Sequence, residues 1–159
     1  VWARIETLVN DIETEDSAAV TLRWADGTLA TLSATLGSVA EISRHRFTFE
    51  HLSAESGTAP YHHSFEPWTF TPSEARADVL EAAMEAYEPG PEDYVGQFAR
   101  YAEARAAGAP LPVTLADART ALELVTALYL SAHEHREVTL PLTPSECGVG
   151  ERRSGRSRA

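Results

Sequence analysis

The spacing of apolar residues changes along this chain, and that change limits the folds it can adopt. Up to about His51, apolar residues alternate with polar ones, which is the period of a half-buried β-strand. From Ser73 onward they recur at intervals of three and four, which is the period of a helix with one apolar face. The sequence therefore predicts strands first and helices after them.

The clearest strand signal is a hairpin formed by residues 17–24 and 28–35. Asp26-Gly27 lies between the two runs, and an Asp-Gly pair supplies the positive φ values of a tight two-residue turn. The predicted cross-strand pairs are Trp24 with Leu29 and Leu22 with Thr31.

Three further segments are weaker strand candidates. Residues 44–51 alternate again, which predicts another strand. Residues 53–72 contain prolines that interrupt the pattern, so either an edge strand or an ordered loop fits them. Residues 138–140 are predicted to form a final strand.

Helix boundaries are marked by capping residues. Ser73 is expected to cap a helix that runs to Met84, and Gly108 is expected to end a helix that starts near Glu92. Thr114 and Asp117 form an acidic capping box at the start of the last helix. The stripe of that helix predicted to be covered consists of Leu115, Ala118, Leu122, Val125, Tyr129 and Ala132, widened by Leu124 and Leu128.

Charge and composition exclude several classes of function. The net charge of −11 repels phosphate backbones, so we expect no nucleic-acid partner. All 13 basic residues are arginine, which removes Schiff-base chemistry and a phosphate-binding P-loop lysine. No apolar run approaches the roughly 20 residues of a membrane-spanning helix, and we expect a cytoplasmic protein without a membrane partner. The single cysteine, Cys147, is interpreted as an incidental thiol.

Segments at both ends resemble one family of enzymes. The opening strands IETEDSAAVTLRWADGTLATLSAT, the helices GQFARYAEARAAGAPLPV and ADARTALELVTALYLSA, and the terminal VTLPL occur in this order. Together they resemble the C-terminal domain of the glucose-fructose oxidoreductase, inositol dehydrogenase and MocA family. The resemblance implies an α+β fold with an open, mainly antiparallel sheet and helices packed on one face. It assigns residues 1–142 to a substrate and oligomerisation domain.

Residues 143–159 lie beyond this resemblance. They lack periodicity and carry four arginines, so we expect a disordered tail.

The motifs of the family's cofactor-binding domain do not occur in this sequence. Family members carry a glycine-rich loop after the first strand and a Glu-Lys-Pro segment, and neither is present here. Gly148 and Gly150 follow no strand pattern, so they are not interpreted as a dinucleotide loop. We therefore expect no Rossmann domain, no catalytic residue and no bound cofactor in this chain alone, and NAD or NADP in the full-length family member.

Candidate substrate contacts are Arg44, His45, Arg46 and Tyr94. The first three could contact a polyhydroxylated or carboxylated substrate, although alternating charges are also typical of the solvated face of a strand. Tyr94 lies where the family often places a polar residue that faces the active-site cleft, and a core position is the alternative. Tyr61 and Trp68 could line the same cleft or fill space beneath the proline-rich loop.

Other polar clusters are interpreted as structural. His62-His63 with Glu66 is a poor metal site because adjacent strand residues point to opposite faces, and we expect no metal. His133 and His135 are expected to favour the negative end of the helix dipole. The acidic residues Glu13, Glu15 and Asp16 are interpreted as a solvated approach to a strand rather than as glycosidase acids.

Three functional hypotheses remain. The first is a substrate-shaping and oligomerising domain of an NAD(P)-dependent oxidoreductase that acts on a sugar, inositol or related polyol, with homo-oligomers joined through a sheet face rich in Ala, Thr and Ser. The second is a stand-alone, non-catalytic dimerising or scaffold module. The third is a small α+β enzyme with a pocket between sheet and helices, for which the sequence offers no acid-base pair.

Overall fold

The computed structural model describes residues 1–61 and 67–147, and the elements below are those of these ranges. Six strands come first, followed by three α-helices. The strands are β1 (Trp2–Glu6), β2 (Ser17–Arg23), β3 (Leu29–Thr35), β4 (Arg46–Thr48), β5 (Leu52–Glu55) and β6 (Thr69–Pro72). The helices are α1 (Ala77–Glu85), preceded by a 3₁₀ turn at Glu74–Arg76, α2 (Asp93–Ala107) and α3 (Leu115–Glu134).

The strands form two antiparallel sheets of three strands each, in the orders β1-β2-β3 and β4-β5-β6. The first sheet belongs to a compact unit of Val1–Ser38 with the described residues from Val113 on, and the second belongs to a unit of Val39–Pro112. The α+β class and the antiparallel pairing are confirmed, and no parallel pair occurs among the described strands.

The β2–β3 hairpin forms as predicted, but its predicted register is wrong by one residue. Leu22 lies opposite Ala30, not Thr31, and Arg23 lies opposite Leu29. Residues 25–27 form a three-residue turn, closed by a hydrogen bond from the Trp24 amide to the Thr28 carbonyl (2.9 Å). Only Gly27 has a positive φ there (91°), whereas a two-residue type I′ turn needs two such residues.

Helix α3 packs on one face of the first sheet through only part of the predicted stripe, namely Ala132 and the two leucines that widen it. Leu124, Leu128 and Ala132 pack against the buried strand residues Ala3, Val20 and Leu22. On the adjoining side of the helix, Ala127 and Leu130 are buried with Val138 and Leu142. The predicted covering of Leu115, Leu122, Val125 and Tyr129 is wrong, because these side chains are 44–90% exposed.

The prediction of a strand at residues 138–140 is also wrong, since these residues do not form a strand. Val138 nevertheless pairs with Val1: each backbone nitrogen donates to the other residue's carbonyl oxygen at 2.8 Å. Val138 is fully buried. A single pair of hydrogen bonds therefore fixes this segment beside β1 without a longer ladder.

Residues 143–147 form a turn held by one acidic side chain. Glu146 accepts hydrogen bonds from the Thr143 amide (2.9 Å) and from Arg136 (2.9 Å), and these contacts lower the pKa of Glu146 to about 2, with Arg136 as the main cause. Residues 148–159 lie outside the described residues, so the disordered tail stays a prediction there.

The second sheet is shorter than the sequence predicted. The strand expected over residues 44–51 covers only Arg46–Thr48, because the chain turns at residues 49–51 and the Phe49 amide donates to the Leu52 carbonyl at 2.7 Å. Of the two interpretations of residues 53–72, edge strand is correct for β6, whereas β5 at the other end is the central strand of its sheet.

One of the three helix starts differs from its prediction. Ser73 precedes the 3₁₀ turn and makes no side-chain capping bond; its hydroxyl contacts His51 Nδ1 (3.3 Å) instead. Helix α2 starts at Asp93, one residue after Glu92, and ends at Gly108 with φ 63°, as predicted. The Thr114–Asp117 capping box at the start of α3 is confirmed in both directions.

Candidate functional site

Of the two arginines of the predicted substrate cluster, Arg46 is the first residue of β4 and Arg44 lies two residues before it. The Arg44 guanidinium forms an ion pair with the Glu55 carboxylate at 3.1 Å, and Arg46 lies opposite the same glutamate in the β4–β5 register. Arg46 is exposed, and within the described ranges it has no ion pair. Glu55 therefore neutralises Arg44 in part, and Arg46 is the cation of this pair better placed to meet an anionic or hydroxylated ligand.

His45 does not join the two arginines, because it belongs to the other face of the sheet. Its imidazole stacks on Trp68, with ring centroids 6.5 Å apart and planes 13° from parallel. Its backbone is fixed by the buried Ser56: the His45 amide donates to Ser56 Oγ and the Ser56 amide donates to the His45 carbonyl, both at 2.9 Å. Side chains of adjacent residues in extended backbone point to opposite faces, which accounts for this separation.

The His45 imidazole is one end of an aromatic strip formed by His45, Phe47, Trp68 and Phe70. The Trp68 ring lies 6.0 Å from Phe47 and 6.4 Å from Phe70, with planes within 21° of parallel. Ala54 of the central strand lies between Phe47 and Phe70 in the register and is buried. A small residue there leaves room for the larger rings on the flanking strands, and the sequence pattern was not predicted to bring these rings together.

Tyr94 is the second residue of α2 and is 75% exposed. Its ring stacks on Phe98 of the same helix, with centroids 6.5 Å apart. Tyr94 is therefore not a core residue, and its side chain is open to solvent. No described contact joins it to Arg44, His45 or Arg46.

The start of α2 depends on a glycine, Gly96, whose role was not predicted from the sequence. Gly96 is the buried residue of this helix, and a Cβ atom added to it would lie 1.9 Å from the Pro91 carbonyl oxygen. Such an overlap requires the backbone to move. The absence of a side chain at Gly96 therefore allows Pro91 to lie against the first turn of the helix that carries Tyr94.

The acidic group at residues 13–16 includes a buried carboxylate with a structural role. Asp16 accepts hydrogen bonds from the backbone N–H groups of Leu8, Val9 and Asn10 at 2.7–2.8 Å. These bonds, with those from Asn10 and Leu8 as the largest causes, hold the pKa of Asp16 well below its ordinary value. The prediction of a solvated approach is therefore wrong for Asp16. Glu15 accepts a hydrogen bond from the Tyr129 hydroxyl.

The histidines at the end of α3 occupy its C-terminus, as expected. His133 lies in the last turn, and His135 is the C-cap residue with φ 57°. His135 Nδ1 contacts the Arg4 guanidinium at 2.5 Å, so this ring also links the helix end to β1.

Metal-binding and membrane-spanning features are not seen in the part of the chain that the structure describes. No group of three or more His, Cys, Asp or Glu residues could hold a metal ion there. His62, His63 and Glu66, like Gly148 and Gly150, lie outside the described residues. Among the described helices, none combines the length and apolar character needed to cross a bilayer.

Comparison with solved structures identifies proteins with the same fold. The chain superposes over 89% of its length on the WlbA dehydrogenase from Bordetella pertussis in complex with NADH and UDP-GlcNAcA (TM-score 0.65, 19% identity, 40% of that chain). It superposes over 87% of its length on YvaA, a candidate oxidoreductase from Bacillus subtilis (TM-score 0.64, 19% identity, 44% of that chain). The WlbA dehydrogenase from Chromobacterium violaceum, also with NADH and UDP-GlcNAcA, matches 89% of the chain (TM-score 0.59, 24% identity, 40% of that chain).

The chain shares the fold of part of these oxidoreductases. It spans less than half the length of the solved structures that it matches. No protein-family model matches the sequence, and neither does any curated protein.

Proposed function

We propose that this chain is the substrate-shaping and oligomerising C-terminal domain of an NAD(P)-dependent oxidoreductase of the glucose-fructose oxidoreductase, inositol dehydrogenase and MocA type. The observation that supports this most directly is the match of nearly nine-tenths of the chain to less than half of two dehydrogenases that were solved with NADH. In this proposal, residues outside this chain bind NAD or NADP and carry out the hydride transfer.

The proposed substrate is a sugar, a sugar derivative or a related polyol. Two of the matched dehydrogenases hold UDP-GlcNAcA, which supports a hydroxylated and anionic substrate for this protein. Exposed Arg46 would donate charge-assisted hydrogen bonds to such a ligand, with Tyr94 offering a phenol. Arg44 and His45 complete the proposed set, although Arg44 already pairs with Glu55 and His45 stacks on Trp68.

The proposed surface for oligomerisation is the face of the first sheet opposite α3, called here the outer face. Its exposed residues on β2 and β3 include Ala19, Thr21, Thr31, Ser33 and Thr35. These side chains are short and uncharged, so a second sheet could approach them closely, whereas the charged residues of this face, Arg4, Glu6 and Arg23, lie on β1 and at the end of β2. A homo-oligomer in the cytoplasm is the proposed state.

Fluorescence titration with NADH and NADPH tests the proposal that the dinucleotide binds to residues outside this chain. The purified chain is expected to give no saturable response with either dinucleotide. A saturable response would contradict the proposal, because it would place a cofactor site in this chain.

Ligand-detected NMR with UDP-N-acetylglucosamine, glucose and myo-inositol tests the substrate-shaping role. Saturation transfer is expected for at least one of these ligands, with a marked loss in Arg46→Ala. Arg119→Ala is the matched control, since Arg119 is an exposed arginine of α3. If no ligand gives a signal while the chain still self-associates, the alternative of a non-catalytic dimerising or scaffold module is favoured.

A further inference from the structure

We draw no further inference here: the strongest candidate, the exposed apolar stripe of α3 formed by Leu115, Leu122 and Val125, carries no proposal because nothing in the structure shows what covers it.

Discussion

At the residue scale, Asp16 holds the loop between β1 and β2 in place. Its carboxylate accepts three backbone N–H groups within the loop, and its own amide donates to the Glu6 carbonyl at 3.1 Å. A buried carboxylate that accepts several N–H bonds favours its charged form, so the folded-state pKa is lowered. The contribution to stability is therefore fully present above the unfolded-state pKa and is lost as the pH falls through the folded-state value.

Asp16→Asn is expected to lower the melting temperature at neutral pH, because the amide carries no charge and offers one fewer acceptor oxygen to the loop. The difference from wild type should shrink as the pH is lowered below the ordinary aspartate pKa of 3.8. Thermal unfolding followed by circular dichroism across this range measures it. Asp11→Asn, at an exposed position of the same loop, is the control. Equal effects of the two variants would contradict the role given to Asp16.

Thr114 is a second residue with a local structural role, as the N-cap of α3. Its hydroxyl accepts from the Asp117 amide, while the Asp117 carboxylate accepts from the Thr114 amide at 2.8 Å. Thr114→Ala is expected to cost about 1 kcal/mol in the free energy of unfolding, measured by urea denaturation. Thr120→Ala, inside the same helix and exposed, is expected to be neutral or slightly stabilising, because alanine is the better helix former. A cost for Thr120→Ala that matched that of Thr114→Ala would argue against a specific capping effect.

At the element scale, α3 is apolar on two sides, and its neighbours decide which of them is buried. The side that carries Ala127, Leu130 and Ser131 contacts β1 and the segment around Val138. The buried Ser131 hydroxyl accepts from the Ala3 amide (2.9 Å) and donates to the Arg136 carbonyl (2.7 Å), so a polar residue is tolerated in this face.

Leu130→Ala is expected to destabilise the protein by about 2–5 kcal/mol, because Leu130 is 1% exposed and its truncation leaves a cavity. Leu122→Ala makes the same chemical change on the same helix at a site that is 69% exposed, and it is expected to change stability by no more than about 0.5 kcal/mol. Urea denaturation of the two variants measures the contrast. Comparable losses would mean that the stripe containing Leu122 is covered in solution.

At the scale of the whole molecule, the proposed oligomer makes a separate prediction. Thr31→Glu places a carboxylate on the outer face, opposite Thr21 of the central strand, and burying it in an interface without a partner is costly. Light scattering after gel filtration is expected to show an oligomer for the wild type and a smaller species for this variant.

Thr120→Glu is the matched control for the oligomer, since it makes the same substitution at an exposed position of α3. It should leave the oligomer intact. A monomeric wild-type chain, or equal dissociation by both variants, would count against assembly through the outer face. The dinucleotide titration described above is independent of this result, so the two parts of the proposed function can fail separately.

Features that depend on a few neighbouring residues were determined by the sequence alone. The Thr114–Asp117 capping box, the end of α2 at Gly108 and the hairpin around Gly27 were predicted because their hydrogen bonds and φ preferences are set within four or five residues. Whether a segment is a strand or a helix follows from its local pattern more closely than its length does, as the short β4 shows.

Features that depend on distant partners were decided only by the tertiary structure. The apolar pattern of α3 fits two faces, and contacts with β1 and Val138, far away in the chain, select the one that is buried. Likewise, Arg44 and His45 are adjacent in sequence but separate because one meets Glu55 and the other meets Trp68. The sequence gives the spacing of apolar and charged residues. Whether one of them is buried or paired depends on which other segment of the chain packs against it.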